Sequence, residues 1–141
     1  MGLRRVVTPL KQKGETCGQT CIAMLSGITE EESVSIVGVK GGTHGTHLIS
    51  GLKKLNIRCS ERSVRFVGFL PKIGILRIKS SSGKVHQTNT KAIWRGHWVL
   101  IYENAIYDPG YGASTILKTY LDWMKKENFK FTSFVEILEG V

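Results

Sequence analysis

Gln12, Cys17, His97 and Asp108 are the residues of this 141-residue chain whose types and settings could together perform covalent chemistry. Cys17 lies in "QKGETCGQTCIAML", where a polar loop gives way to a helix-like apolar run. A thiol attacks a carbonyl as its thiolate, and a helix N-terminus favours that anion through its dipole and unpaired N–H groups. Thr16 stands where it could cap a helix from Cys17 to Ser26, stopped by Gly27. Cys21 falls one turn further along the same face, inside the core, with no reason to ionise. The bland alternative is that Cys17, too, is only a small buried hydrophobe.

A cysteine nucleophile needs a histidine base, and the base needs an orienting partner. His97 opens the strand-like run "HWVLIY", and "AIYDP" follows after Glu103-Asn104. With a two-residue turn there, Tyr102 faces Ala105, Val99 faces Asp108 and His97 faces Gly110. Alternate side chains share a face of the sheet, so His97 and Asp108 become diagonal neighbours. One more residue in the turn would reverse that parity. The Cys17 backbone N–H is one donor for an oxyanion, and the Gln12 side-chain amide, just upstream, is the natural second. Gln19 lies on the other side of the nucleophile and reads as a surface or substrate-contact residue. His44, His47 and His86 are the remaining histidines.

The elements that must carry these residues are legible in outline. After an irregular lead-in, the first helix is followed by "TEEES", in which Thr29 and Glu32 have capping-box spacing for a short helix through Ile36. Beyond the glycine-rich "GVKGGTHGT", Thr46 is expected to cap a third helix over "HLISGLKKLN". From Ile57 the pattern changes to short β-branched and aromatic runs, "IRCSERSVRFVGF", "GILRIKS", "GHWVLIY", "AIYDP" and "FKFTSFVEIL". A helix from about Thr115 to Glu127 interrupts them, and "KSSSGKVHQTNTKAIWRG" reads as a long exposed hairpin connection. Helices first and a mainly antiparallel sheet afterwards predict an α+β fold, as a single domain over residues 1–141.

With these motifs in order, the chain resembles papain-like cysteine peptidases, nearest to the group related to bacteriocin-leader (double-glycine) peptidases. The likeness rests on Gln12, Cys17-Gly18 and the small and apolar helix after it, then His97 in "GHWVLIY" and Asp108-Pro109 in "IYDPGYG". It implies a papain-like fold, with N-terminal helices packed on the sheet. It also implies Cys17 as nucleophile, His97 as base, Asp108 as its orienter and Gln12 in the oxyanion hole. Leader peptidases of this group are usually fused to a membrane transporter, and this chain shows neither membrane helices nor a nucleotide-binding motif. The double-glycine preference is therefore not carried over. Trp94, Trp98 and "GGTHGT" (Gly41 to Thr46) are candidate walls of a substrate groove, although Trp98, facing away from His97, is better suited to the core.

Composition excludes several other classes. No apolar run approaches the roughly 20 residues that span a bilayer, the N-terminus lacks a secretory h-region, and Gly2 lacks the later Ser or Thr of a myristoylation signal. A cytoplasmic protein with no membrane partner is expected. Three cysteines, Cys17, Cys21 and Cys59, are too few for a disulfide scaffold. The net charge of +9, from 20 Lys and Arg against 11 Asp and Glu, favours an acidic partner. The expected partner is a peptide or protein substrate, possibly acidic, and no cofactor is implied.

Three rivals are weighed against the hydrolase. Cys17, Cys21, His44 and His47 outline a two-Cys, two-His zinc site, with the histidine spacing one residue short. Arg4, Arg5, Lys11 and Lys13, with Lys79, Lys84, Lys91 and Arg95, would suit a nucleic-acid- or protein-binding module without catalysis, but no finger spacing or aromatic signature accompanies them. Finally, a deamidase or acyltransferase could use the same triad.

Overall fold

The computed structural model describes residues 6–80 and 96–138. The polar connection with His86 and Trp94, and the basic residues Arg4, Arg5, Lys84, Lys91 and Arg95, lie outside that range. Three helices come first, α1 (Cys17–Ser26), α2 (Glu30–Val37) and α3 (Gly45–Lys54). Strands β1 (Val64–Arg65), β2 (Ile73–Ser80), β3 (His97–Tyr102), β4 (Ala105–Asp108) and β5 (Ala113–Ile116) follow. Helix α4 (Leu117–Lys126) and strand β6 (Phe129–Glu136) complete the described part. The six strands form one antiparallel sheet in the order β1-β6-β2-β3-β4-β5, so the fold is α+β.

Helices pack on both faces. On one, Ile22, Leu25, Leu48 and Leu52 of α1 and α3 meet Ile75, Trp98, Leu100 and Val135 of the sheet. On the other, Tyr120 and Met124 of α4 meet Leu76, Ile78, Val99, Ile101 and Ile106. Each fully buried Leu or Ile here contributes about 1.5–3 kcal/mol. Alternation along β3 thus sends Trp98 and Leu100 toward α1 and leaves His97, Val99 and Ile101 on the α4 face.

Every residue of α1 from Cys17 to Leu25 is buried, so its polar members need internal partners. Thr20 Oγ1 donates to the Thr16 carbonyl at 2.8 Å. Gln19, expected at the surface or in contact with substrate, is fully buried instead, and its Nε2 donates to the carbonyls of Val39 (2.7 Å) and Gly41 (2.9 Å). It is a clamp that fixes the glycine-rich loop.

The element ends show where local rules hold. Gly27 adopts the left-handed conformation that stops α1, and Thr29 with Glu32 makes the reciprocal capping box of α2. Thr16 stands at the cap position of α1 but makes no side-chain cap. Its hydroxyl is taken by Glu30 Oε2 at 2.7 Å and the Lys13 carbonyl at 3.0 Å. Thr46 does not cap α3, which starts a turn-fragment earlier, after His44. There His47 Nδ1 accepts the His44 N–H at 3.0 Å, the reach-back that a Glu or Gln makes in a capping box.

Two strand expectations are corrected. In "IRCSERSVRFVGF" only Val64–Arg65 forms a strand, with one isolated bridge from Cys59 to Ile137. The four residues between Cys59 and Val64 face only two, Val135 and Glu136, between their partners Ile137 and Phe134, so the charged Glu61-Arg62 stretch loops out into solvent. Residues 113–116, partly assigned to the following helix, instead pair with β4, Ala105 opposite Ile116. β-branched Thr115 and Ile116 suit that extended edge better than a first helical turn.

Candidate active site

The hairpin of β3 and β4 has the register that a two-residue turn dictates, with Tyr102 opposite Ala105 and Leu100 opposite Tyr107. Glu103 takes the positive φ (54°) that so tight a turn requires. The side chains of His97 and Asp108 consequently meet. His97 Nε2 lies 2.7 Å from Asp108 Oδ1, and the two residues are only 1% and 3% exposed. The other ring nitrogen, Nδ1, is buried without a hydrogen-bond partner of full geometry among the described residues. That leaves it for Cys17, whose sulfur interacts with the imidazole and also accepts the Trp98 backbone N–H at 3.5 Å. Cys17, His97 and Asp108 are therefore brought together in that order.

The carboxylate is held from three directions. Besides His97, Asp108 Oδ1 accepts the Gly110 N–H at 2.8 Å, and Oδ2 accepts the hydroxyl of Tyr120 at 2.8 Å. A Cβ added at Gly110 would stand 3.1 Å from Asp108 Oδ1 and 3.4 Å from His97 Nε2, so the turn leaves little room for a side chain. The sequence pattern does not mark Tyr120 as a site residue. It shares a buried helix face with Met124 at i+4, and a buried tyrosine hydroxyl seeks a partner. Which partner is decided by how α4 lies on the sheet.

Electrostatics follow from this geometry. Burial pushes the Cys17 thiol up, but the hydrogen bond and charge of His97, with the Trp98 and Gly18 N–H groups, outweigh it and hold the thiol below its ordinary 9.0. Burial disfavours a charged His97, yet Asp108 and Cys17 together raise it from 6.5 to about 10. Asp108 is likewise pushed up by burial and brought below 3.8 by His97, Tyr120 and Gly110. A thiolate–imidazolium pair is the favoured state between the first two values. Cys21 behaves oppositely, since full burial and the neighbouring Cys17 and Asp108 charges raise its thiol well above 9.0. Burial also raises Cys59.

The helix start suits an anion. No side chain caps α1 and no acidic residue occupies its first turn, so its free N–H groups are left to the sulfur and its surroundings. Gly18 is required there, because a Cβ would strike Thr43 Oγ1 and come 2.8 Å from Leu48 Cδ2.

Gln12 is only partly brought in. Its backbone N–H donates to the Pro109 carbonyl at 2.8 Å, which ties the lead-in loop to the end of β4. Its side-chain Nε2 donates to the Gly14 carbonyl at 2.6 Å, and Oε1 is buried without a partner among the described residues. One amide proton remains uncommitted, but no hydrogen bond joins Gln12 to Cys17.

A cleft of about 330 Å³ opens beside the sulfur, with Gly42, Thr43, His44, Arg77 and Trp98 in its walls. The "GGTHGT" loop thus does border Cys17. Trp98 is 2% exposed and mostly core, while its indole N–H donates to the Thr43 carbonyl at 3.1 Å and fixes that wall. The four-ligand zinc arrangement does not form. Among the described residues no three His, Cys, Asp or Glu side chains converge as a metal site; Cys21 is sealed in the core, and His44 pairs with His47 at the start of α3. No described helix is long and apolar enough to cross a membrane. No protein-family profile matches the chain, and no curated protein matches it by sequence.

Proposed function

We propose that this protein is a cysteine-dependent hydrolase of papain-like type, cleaving a peptide or amide bond through Cys17, His97 and Asp108. The observation that carries this reading is the buried line from Cys17 through His97 to Asp108, with its 2.7 Å His–Asp hydrogen bond. In the resting pair, His97 is protonated on both nitrogens, Nε2–H toward Asp108 and Nδ1–H toward the thiolate. Cys17 Sγ attacks the carbonyl carbon, an S–C bond forms, and the carbonyl electron pair moves to oxygen. The Cys17 backbone N–H, in the open first turn of α1, stabilises that oxyanion, joined by the second amide proton of Gln12. The oxyanion collapses, the C–N bond breaks, and the Nδ1 proton passes to the leaving nitrogen. Neutral His97 then takes a proton from water, whose oxygen attacks the thioester. The S–C bond breaks, releasing the acid and restoring the ion pair.

Deamidation and acyl transfer would proceed through the same thioester, and the products distinguish them. The test is incubation with a pooled peptide library, with new termini read by mass spectrometry, alongside Cys17→Ala and a pH series of Cys17 alkylation. Cleavage that Cys17→Ala abolishes is the expected result. A Cys17 thiol that titrates near its ordinary 9.0, with no new termini, would overturn the proposal.

A further inference from the structure

Arg77 is a charge in a place where an aliphatic residue would be cheaper. It is the half-buried exception in a strand whose neighbours from Ile73 to Ile78 are otherwise buried, and the sheet register shifts beside it. Its guanidinium carbon lies 5.9 Å from the centre of the Trp98 ring. Gly96, at φ +120°, is packed so closely that a Cβ would fall 2.5–2.9 Å from three guanidinium atoms. A glycine is required there twice over, for its backbone angle and to make room for Arg77. The fold therefore holds this cation in one wall of the cleft that Cys17 also lines. The residue it stacks on, Trp98, supplies the N–H that contacts the sulfur.

We infer that Arg77 selects the substrate, by pairing with a carboxylate next to the bond that Cys17 attacks. The carboxylate is that of an acidic side chain or of a chain terminus, and the inference rests on the hydrolase reading. Thr43, 8% exposed, lines the same cleft; its hydroxyl is buried against Gly18, and its carbonyl accepts the Trp98 indole N–H, which fixes the wall that Arg77 packs on. Glu15 also borders the cleft, but it is exposed, so water and salt screen it more than the half-buried guanidinium. An arginine is suited to the task because its fork matches a carboxylate bidentately.

The test compares two alkylating agents that differ only in charge, iodoacetate and neutral iodoacetamide. With either, the Cys17 sulfur–carbon bond forms as iodide leaves. The readout is the ratio of the two rates within each variant, measured site by site at Cys17. In Arg77→Gln the iodoacetate-to-iodoacetamide ratio should fall about fivefold, and Arg77→Lys should keep most of it, since a nearby unit charge in this environment has that order of effect. Should Arg77→Gln fail to fold, the same ratio in the unaltered protein should fall as salt is raised from low to high. In a second arm, N-acetyl-aspartic acid α-amide, with its side-chain carboxylate free, and N-acetylglycine compete with iodoacetamide, and the better protector identifies a side-chain or a terminal carboxylate. Fast iodoacetamide labelling with a ratio indifferent to Arg77 and to salt, or protection by neither carboxylate, overturns the assignment of Arg77. Slow labelling of Cys17 by both agents at neutral pH instead removes the hydrolase reading itself.

Discussion

Tyr120 Oη donates to Asp108 Oδ2 across 2.8 Å, joining a helix on one face of the sheet to the carboxylate that orients His97. The tyrosine is 4% exposed and the aspartate 3%, so the bond is made away from water. A carboxylate oxygen left unsatisfied at that depth would be costly. Removing the hydroxyl by Tyr120→Phe should cost about 1–3 kcal/mol of stability, measured by urea unfolding. It should also move the alkylation profile of Cys17 to higher pH, because a loosened Asp108 supports a weaker imidazolium. A stability loss with an unmoved profile would mean that Tyr120 only packs.

The cysteines should separate by pH. Cys17 is held below 9.0, whereas Cys21 and Cys59 are raised, so iodoacetamide should label Cys17 alone at neutral pH. Labelling should rise with pH as the thiolate forms. In His97→Ala the largest cause of the lowering is gone while burial remains, so the profile should shift alkaline. Catalysis needs both thiolate and imidazolium, so peptide turnover should follow a bell. Its acid limb is set by Cys17 below 9.0, and its alkaline limb by His97 at about 10.

Asp108 makes a stability prediction whose sign is fixed. Its folded pKa lies below the unfolded 3.8, so its contribution is present above 3.8 and lost as pH falls through the folded value. Asp108→Asn should therefore be less stable than the unaltered chain at pH 7, and the difference should shrink on acidification below pH 4. Denaturant titrations at a series of pH values would show it. The same substitution should lower peptide turnover by at least about 10²-fold, since the imidazolium loses its counter-charge and its orientation.

At Gly18 a methyl group has nowhere to go, with Thr43, Leu48 and Trp98 all within 3.3 Å of its position. Gly18→Ala should destabilise by about 1–3 kcal/mol, as overpacking does in a filled core. It should also slow Cys17 labelling, because the Thr43 and Trp98 walls must shift. An alanine variant with unaltered melting and labelling would show that the loop yields freely.

Gln12→Ala separates two roles for that residue. If its free amide proton stabilises the oxyanion, peptide turnover should fall about 10²-fold, in the range for loss of one such donor. If the side chain only braces Gly14, turnover should change little while the lead-in loop becomes easier to cleave by protease. Both quantities can be read on one preparation.

Short-range chemistry accounts for what could be read in the chain itself. The Gly27 stop, the Thr29–Glu32 box and the two-residue turn at Glu103-Asn104 depend on residues within a few positions of one another, so local composition specifies them. That turn determines the parity of the β3–β4 hairpin, and parity alone sets His97 and Asp108 on one face. The α+β order followed from the same periodicities. Tertiary packing decided the rest. Thr16 lost its capping role to Glu30 on another helix, and Gln19 became a buried clamp because α1 is enclosed on all sides. Residues 113–116 joined the sheet because β4 offered them an edge. Cys17 and His97 are 80 residues apart in the chain, and their meeting depends on how α1 docks against β3. Tyr120 on Asp108 and Arg77 over Trp98 are contacts of the same kind. Docking of elements sums many small burial terms over distant residues, and no local spacing encodes that sum.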